Sequence, residues 1–194
     1  MEKHRIRSII ESLLFISGEP ISFERIISVL DGIERKLVRE VLAELKEEYE
    51  RENRGIRLVE VAGGYQLETP KENAEYIARL IKTRPIRLSR PALETLAIVA
   101  YRQPITRQEV DKIRGVDSSG VLKTLLEYGF IQIAGRKDVP GKPLIYTTTK
   151  RFLEFFRLKD LSELPSPEEF VEQASAEQEL FSSQKPQPPD ADES

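Results

Sequence analysis

The 194-residue chain has no cysteine, no tryptophan, one methionine and one histidine. Absence of cysteine excludes disulfides and thiolate metal sites, so stability must come from apolar burial. The one histidine, His4, stands at the polar start of the first predicted helix, a poor position from which to activate a nucleophile. Ser118 and Ser119 precede Gly120, but no neighbouring base accompanies them, and helix capping accounts for both. No apolar run approaches the roughly 20 residues that cross a bilayer. The opening MEKHRIRSII is charged where a secretory signal is apolar. The expectation is a cytoplasmic chain with no membrane contact. Residues 135–143 (GRKDVPGKP) lack the Gly-to-Lys-Ser/Thr spacing of a phosphate loop. A metal would have carboxylates alone as ligands, and these lie mostly on mixed-charge helix faces. No cofactor and no enzymatic activity are therefore expected.

What is present is charge and repetition. The net charge of −3 is unevenly spread. Residues 1–88 hold 16 basic and 16 acidic side chains, residues 89–157 hold 12 and 7, and residues 158–194 hold 2 and 10. Only the middle segment is basic, and modestly so compared with a protein held on DNA by counterion release. The stretch LLFISGEPIS at 13–22 returns as AIVAYRQPIT at 97–106, an offset of 84 residues. The same offset sets Ile26 on Val110, Val38 on Leu122, Val41 on Leu125 and Leu42 on Leu126. A unit of roughly 70 to 80 residues can bury a small core of its own, so the repeat implies two tandem domains.

In the first repeat Ile6, Ile9, Ile10, Leu13 and Leu14 follow the spacing of one helix face. Ser22 is placed to cap a second short helix, and a third helix over about 34–53 carries Leu37, Val38, Val41, Leu42, Leu45 and Tyr49. Two β-rich runs follow, joined by Gly63 and Gly64, which tolerate the positive φ of a two-residue hairpin turn. A connecting helix is predicted over 71–82, and Pro85 marks the boundary. The second repeat runs in the same order: Ser89 caps its first helix, Thr106 and Glu109 form a capping box, and Asp117 or Ser118 caps the third. A last short helix near 150–156 is expected to lay Phe152, Phe155 and Phe156 on this second domain. Three helices and a hairpin is the winged-helix order. The predicted fold is mainly α with small β-hairpins: winged-helix domains at 1–84 and 85–165, and a mostly disordered acidic tail at 166–194. That tail has some helical potential around 167–181. Its Phe170, Val171, Leu180 and Phe181 either dock on a partner or only decorate a solubilising segment.

A winged helix raises DNA binding as a possibility, since its third helix commonly enters the major groove. Here Glu44, Glu47, Glu48, Glu50 and Glu52 crowd the third helix of repeat one, while that of repeat two offers Lys123 as its one cation. The second wing, with Arg136, Lys137 and Lys142, is the remaining basic element. Protein binding fits the pattern better. The long third helix of repeat one, with its regular apolar stripe, points to self-association through Leu37, Val41, Leu45 and Tyr49. The competing reading is that its own domain absorbs that stripe.

The segments ESLLFISGEPIS, LSRPALETLAIVAYRQPITR, IRGVDSSGVLKTLLEYGFI, AGRKDVPGKPLIYTTTKRFLEFF and LKDLSELP resemble the bacterial segregation and condensation protein B family over nearly all of positions 4–165. The resemblance implies a non-enzymatic homodimer of two-winged-helix chains within the bacterial condensin. Such a chain binds the kleisin, segregation and condensation protein A, and through it reaches the SMC (structural maintenance of chromosomes) ATPase at the nucleoid. It touches DNA only indirectly or weakly and supports chromosome condensation and segregation. The kleisin contacts are expected at Tyr101, Arg102 and Gln103, at Arg114 and Gly115, and around the wing at Arg136, Pro140 and Tyr146. For the two tyrosines, a place in the core is the competing role. A tandem winged-helix DNA-binding regulator is the alternative function.

Overall fold

In a computed structural model that describes residues 1–51, 54–81, 86–167, 169–173 and 175–176, the repeat becomes two units with one order of elements. Unit 1 opens with α1 (Lys3–Ser17), β1 (Ile21–Ser22), α2 (Phe23–Val29) and α3 (Arg35–Arg51), followed by the hairpin β2 (Arg57–Val61) and β3 (Gly64–Glu68). A 3-10 turn at Lys71–Asn73 leads into α4 (Ala74–Ile81). Unit 2 repeats the series as α5 (Arg90–Arg102), β4 (Ile105–Thr106), α6 (Arg107–Arg114), α7 (Ser119–Glu127), β5 (Ile131–Arg136) and β6 (Leu144–Thr148). Next come α8 (Lys150–Phe155) and a 3-10 turn at Leu161–Glu163. Each unit has one three-stranded antiparallel sheet, ordered β1-β3-β2 and β4-β6-β5. The fold is α+β and mostly helical.

The 84-residue offset is reproduced in element order and, at three of the four paired positions of the second and third helices, in burial. Leu126 is half-buried where Leu42 is buried, and in the first helix the buried Ile6, Ile10 and Leu14 stand where Arg90, Glu94 and Ile98 are not buried. Ile26 and Val110 are both fully buried, as are Val38 and Leu122, and Val41 and Leu125. The caps recur as well: Ser22 Oγ accepts from the Arg25 N–H, and Thr106 Oγ1 from that of Glu109. In unit 1, Ile6, Ile10 and Leu14 of α1 meet Val38, Leu42 and Leu45 of α3 in one apolar core. Leu93, Leu96, Val110, Leu122, Leu125 and Phe130 are buried side chains of unit 2.

Four expectations change. The tight turn between β2 and β3 is Ala62–Gly63, not Gly63–Gly64, with φ of 49° and 72°. Both central residues are then positive, as a type I′ hairpin requires. Gly64 instead pairs with Val61, and a Cβ there would stand 2.8 Å from the Ile21 carbonyl carbon and oxygen. Second, the stripe assigned to self-association is largely consumed within unit 1. Val41, Leu45 and Tyr49 are 1%, 0% and 6% exposed, and Leu37 packs against the same core. Tyr49 also donates its hydroxyl to Glu11 of α1 at 3.0 Å.

Third, residues 150–164 group with unit 1, whereas the short helix was expected on the second domain. The chain after α8 satisfies the tip of the first hairpin. The Ala62 and Gly63 N–H groups donate to the carbonyls of Leu158 and Lys159, both at 2.9 Å. Lys159 pairs with Glu60 at 2.7 Å and Arg157 with Glu68 at 3.3 Å. Fourth, residues 165–176 belong to unit 2, and the described ones from 167 are helical. The expected boundary at Pro85, and the tail from 177 with Leu180 and Phe181, lie outside the described residues.

Candidate partner-binding groove

Ser89 starts α5 by accepting from the Ala92 N–H at 3.4 Å, and Pro91 sits in the first turn where its missing N–H matters little. One face of α5 then buries Leu93, Leu96 and Val99. The opposite stripe, at spacings of three and four, is Arg90, Glu94, Ala97, Ile98, Tyr101 and Arg102. It lines a cavity of about 580 Å³. The second wall is the end of α6, where Ile113 and Arg114 precede Gly115, whose φ of 73° closes the helix in the left-handed region.

The third wall is the C-terminal segment, contributing Pro167, Val171 and Glu172. It begins with a reciprocal cap: Ser166 N–H donates to Glu169 Oε2 at 2.9 Å and Glu169 N–H to Ser166 Oγ at 3.3 Å. These bonds hold the Glu169 carboxyl below its usual range. One turn in, Phe170 is 3% exposed and meets the Tyr101 ring edge-on at 6.4 Å between centroids. The Tyr101 hydroxyl donates to the Pro165 carbonyl. Burial, and then the nearby Glu169 carboxylate, push its phenol up. Phe170 and Val171, expected either on a foreign partner or on a solubilising tail, thus dock on their own unit.

Charge around the cavity is mixed and mostly engaged. Arg90 pairs with Glu94 at 3.4 Å, and Arg114 Nη1 donates to Ser118 Oγ at 3.2 Å. Arg114 Nε, however, is buried with no hydrogen-bond partner. An orphaned buried donor of a charged group is costly, of order 1–3 kcal/mol or more, and calls for an acceptor.

Of the expected partner-binding residues, the structure gathers Tyr101, Arg102 and Arg114 around this cavity. The others have different work. Gln103 clips α5 to β6, its Oε1 accepting from the Thr148 N–H at 2.7 Å and its Nε2 donating to the Ala100 carbonyl at 3.0 Å. Tyr146 is buried opposite Ile105 in the sheet, so its core role prevails. Arg136 donates to the Lys142 carbonyl at 3.0 Å within the β5–β6 loop, on which Pro140 is exposed. That loop is tied to α6 by Lys137, 2.5 Å from Glu109 Oε1. Lys137 first, then the Thr106 N–H and hydroxyl, lower the Glu109 carboxyl to about 2. Arg90, Glu94 and Ile98 were missed by sequence reasoning although their spacing marks one helix face. The Ser166–Glu169 pair was a legible helix start before Phe170.

Ser118 holds the N-cap position of α7 without a side-chain cap bond, and the side chain that accepts a first-turn N–H is that of Asp117. Its Oδ2 accepts from the Ser119 N–H at 3.2 Å. Ser118 is buried and its own N–H donates to Asp111 at 2.7 Å.

Among the described residues there is no group of three or more His, Asp or Glu arranged to hold a metal. No described helix is long and apolar enough to cross a membrane. What unit 2 presents is a partly apolar groove rimmed by arginine, the makings of a surface that recognises another chain.

Residues 8–167 match the family model of the segregation and condensation complex subunit ScpB. The chain is 49% identical over 181 residues to segregation and condensation protein B of Syntrophotalea carbinolica, covering 93% of this chain and 91% of that one. It is 51% identical over 164 residues to the protein of the same name from Moorella thermoacetica, covering 84% of each. A crystal structure of a dimer of the ScpB N-terminal domain complexed with ScpA peptide matches at 37% identity and a TM-score of 0.37, covering 40% of this chain and 95% of that one. The chain belongs to the segregation and condensation complex subunit ScpB family.

Proposed function

We propose that this chain is a non-enzymatic, homodimeric adaptor of an SMC–kleisin complex. It consists of two winged-helix modules, binds the kleisin segregation and condensation protein A, and supports chromosome condensation and segregation at the nucleoid in the cytoplasm. The observation that carries the reading is the α5–α6 groove of unit 2, in a chain that belongs to this family over residues 8–167. Tyr101, Arg102 and Arg114 are its kleisin-binding residues. The repeated order of helices and strands supports the winged-helix assignment.

The dimer forms through unit 1, on a surface other than the α3 stripe. Phe15 and Ile16 on α1 are 79% and 80% exposed, and α4 buries nothing although Tyr76, Ile77 and Leu80 make it apolar. An eight-residue helix of that kind is unstable alone in water and gains from a second apolar surface. A second copy supplies one by isologous contact.

DNA recognition is disfavoured. Lys123, the one cation of α7, faces Glu127 at 3.9 Å, and Glu44 and Glu48 of α3 take ion pairs from Lys3 and Arg7. Light scattering on the chain alone, then with the kleisin from the same organism, tests the proposal. The expected result is a dimer that shifts to a larger stoichiometric complex. A monomer indifferent to the kleisin, with duplex DNA affinity falling steeply as salt rises, would replace this reading with the DNA-binding one.

A further inference from the structure

The groove of unit 2 is incomplete without the helix that follows Pro165. We propose that this C-terminal helix is a permanent wall of the kleisin site, and that the kleisin segment seated there presents a large apolar side chain with a carboxylate about one turn away. The proposal rests on the functional reading above and adds the missing wall and the chemistry of the occupant.

Three observations carry it. The helix is anchored beside the cavity, not inside it: Phe170 is buried against Tyr101, Pro165 accepts the Tyr101 hydroxyl, and the cavity of about 580 Å³ stays open alongside. A competitor would fill the space; this helix lines it through Val171 and Glu172. The apolar lining from Ala97, Ile98, Ile113 and Val171 suits an aliphatic or aromatic side chain. Arg114 lines the cavity and offers its guanidinium to a carboxylate in a charge-assisted bond, while its Nε, enclosed and without a partner, is reached only by a shift of that side chain. Exposed Arg102 adds a second cation at the rim. Glu94 is already paired with Arg90, and Arg102 and Arg114 outnumber the remaining carboxylate, Glu172, so the lining favours an acidic guest.

The test uses the full chain and the purified kleisin from the same organism, with calorimetry for affinity and hydrogen exchange for location. Val171→Glu changes the wall without touching the Phe170 anchor, and Arg114→Lys keeps the charge but removes Nε. A stop after Leu164 removes the wall. Each variant is expected to weaken kleisin binding at least fivefold, and kleisin is expected to protect α5, the end of α6 and residues 169–173 together in the wild-type chain. Kleisin binding with unchanged affinity in Val171→Glu and in the shortened chain, and protection elsewhere, would overturn the wall while leaving the adaptor reading intact. Tighter binding on truncation would make the helix a plug and equally overturn it. No kleisin binding by the wild-type chain would overturn both.

Discussion

Glu109 does two jobs with one carboxylate. As third residue of α6 it closes the cap with Thr106, and it also receives Lys137 from the β5–β6 loop. The first job was readable from the spacing of Thr106 and Glu109. The second was not, because Lys137 lies 28 residues away and only the return of the hairpin brings it near. The depression of this carboxyl to about 2, from an ordinary value of 4.5, has a definite sign. The folded state favours the ionised form. Its contribution is therefore complete above pH 4.5 and is lost as pH falls toward 2. The pair is nearly half exposed, so solvent screens it and the effect is modest. Denaturant titrations between pH 6 and pH 2 are expected to show a shallower acid loss of stability in Glu109→Gln than in the wild-type chain. An identical slope would mean that the Lys137 and Thr106 bonds do not persist in solution.

At the scale of the element, the first hairpin shows how a neighbour settles what local propensity leaves open. Either Ala62–Gly63 or Gly63–Gly64 offers a plausible turn on sequence alone. The register is decided by β1, since only glycine at 64 lets β3 come so close to the Ile21 backbone. Gly64→Ala is expected to destabilise unit 1 by about 1–3 kcal/mol, the usual result of forcing an atom into a packed contact, as read by the denaturation midpoint. A smaller change than about 0.5 kcal/mol would show that β1 and β3 separate at little expense. The same hairpin explains why α8 joins unit 1 and not the second domain that it directly follows in sequence. Its phenylalanines advertise burial, but a sequence does not say against what. Backbone groups of Leu158 and Lys159, which carry no sequence signal, make the tie to Ala62 and Gly63.

Across the whole molecule the apolar side chains of unit 1 divide into those its core uses and those it leaves outside. Leu45 is fully buried, so Leu45→Ala is expected to lower the stability of unit 1 by about 2–5 kcal/mol. Phe15 and Ile16 are on the surface, so Phe15→Ser with Ile16→Ser should leave the monomer folded and weaken the dimer. Light scattering at several concentrations together with thermal unfolding separates the two. A dimer undisturbed by the α1 pair would move the interface elsewhere on unit 1.

The sequence by itself determined the duplication, the order of helices and hairpins, the helix caps at Ser22, Ser89 and Thr106, and the family. Each depends on local spacing or on direct similarity between segments. Only the tertiary structure decided that Val41, Leu45 and Tyr49 are core, that residues 150–164 serve unit 1, and that Tyr101 and Arg114 share a cavity walled on one side by the helix after Pro165. An amphipathic stripe records that a face needs covering, while what covers it depends on contacts far apart in sequence. Tyr101 and Pro165 are 64 positions apart, and nothing in the spacing of either announces the other.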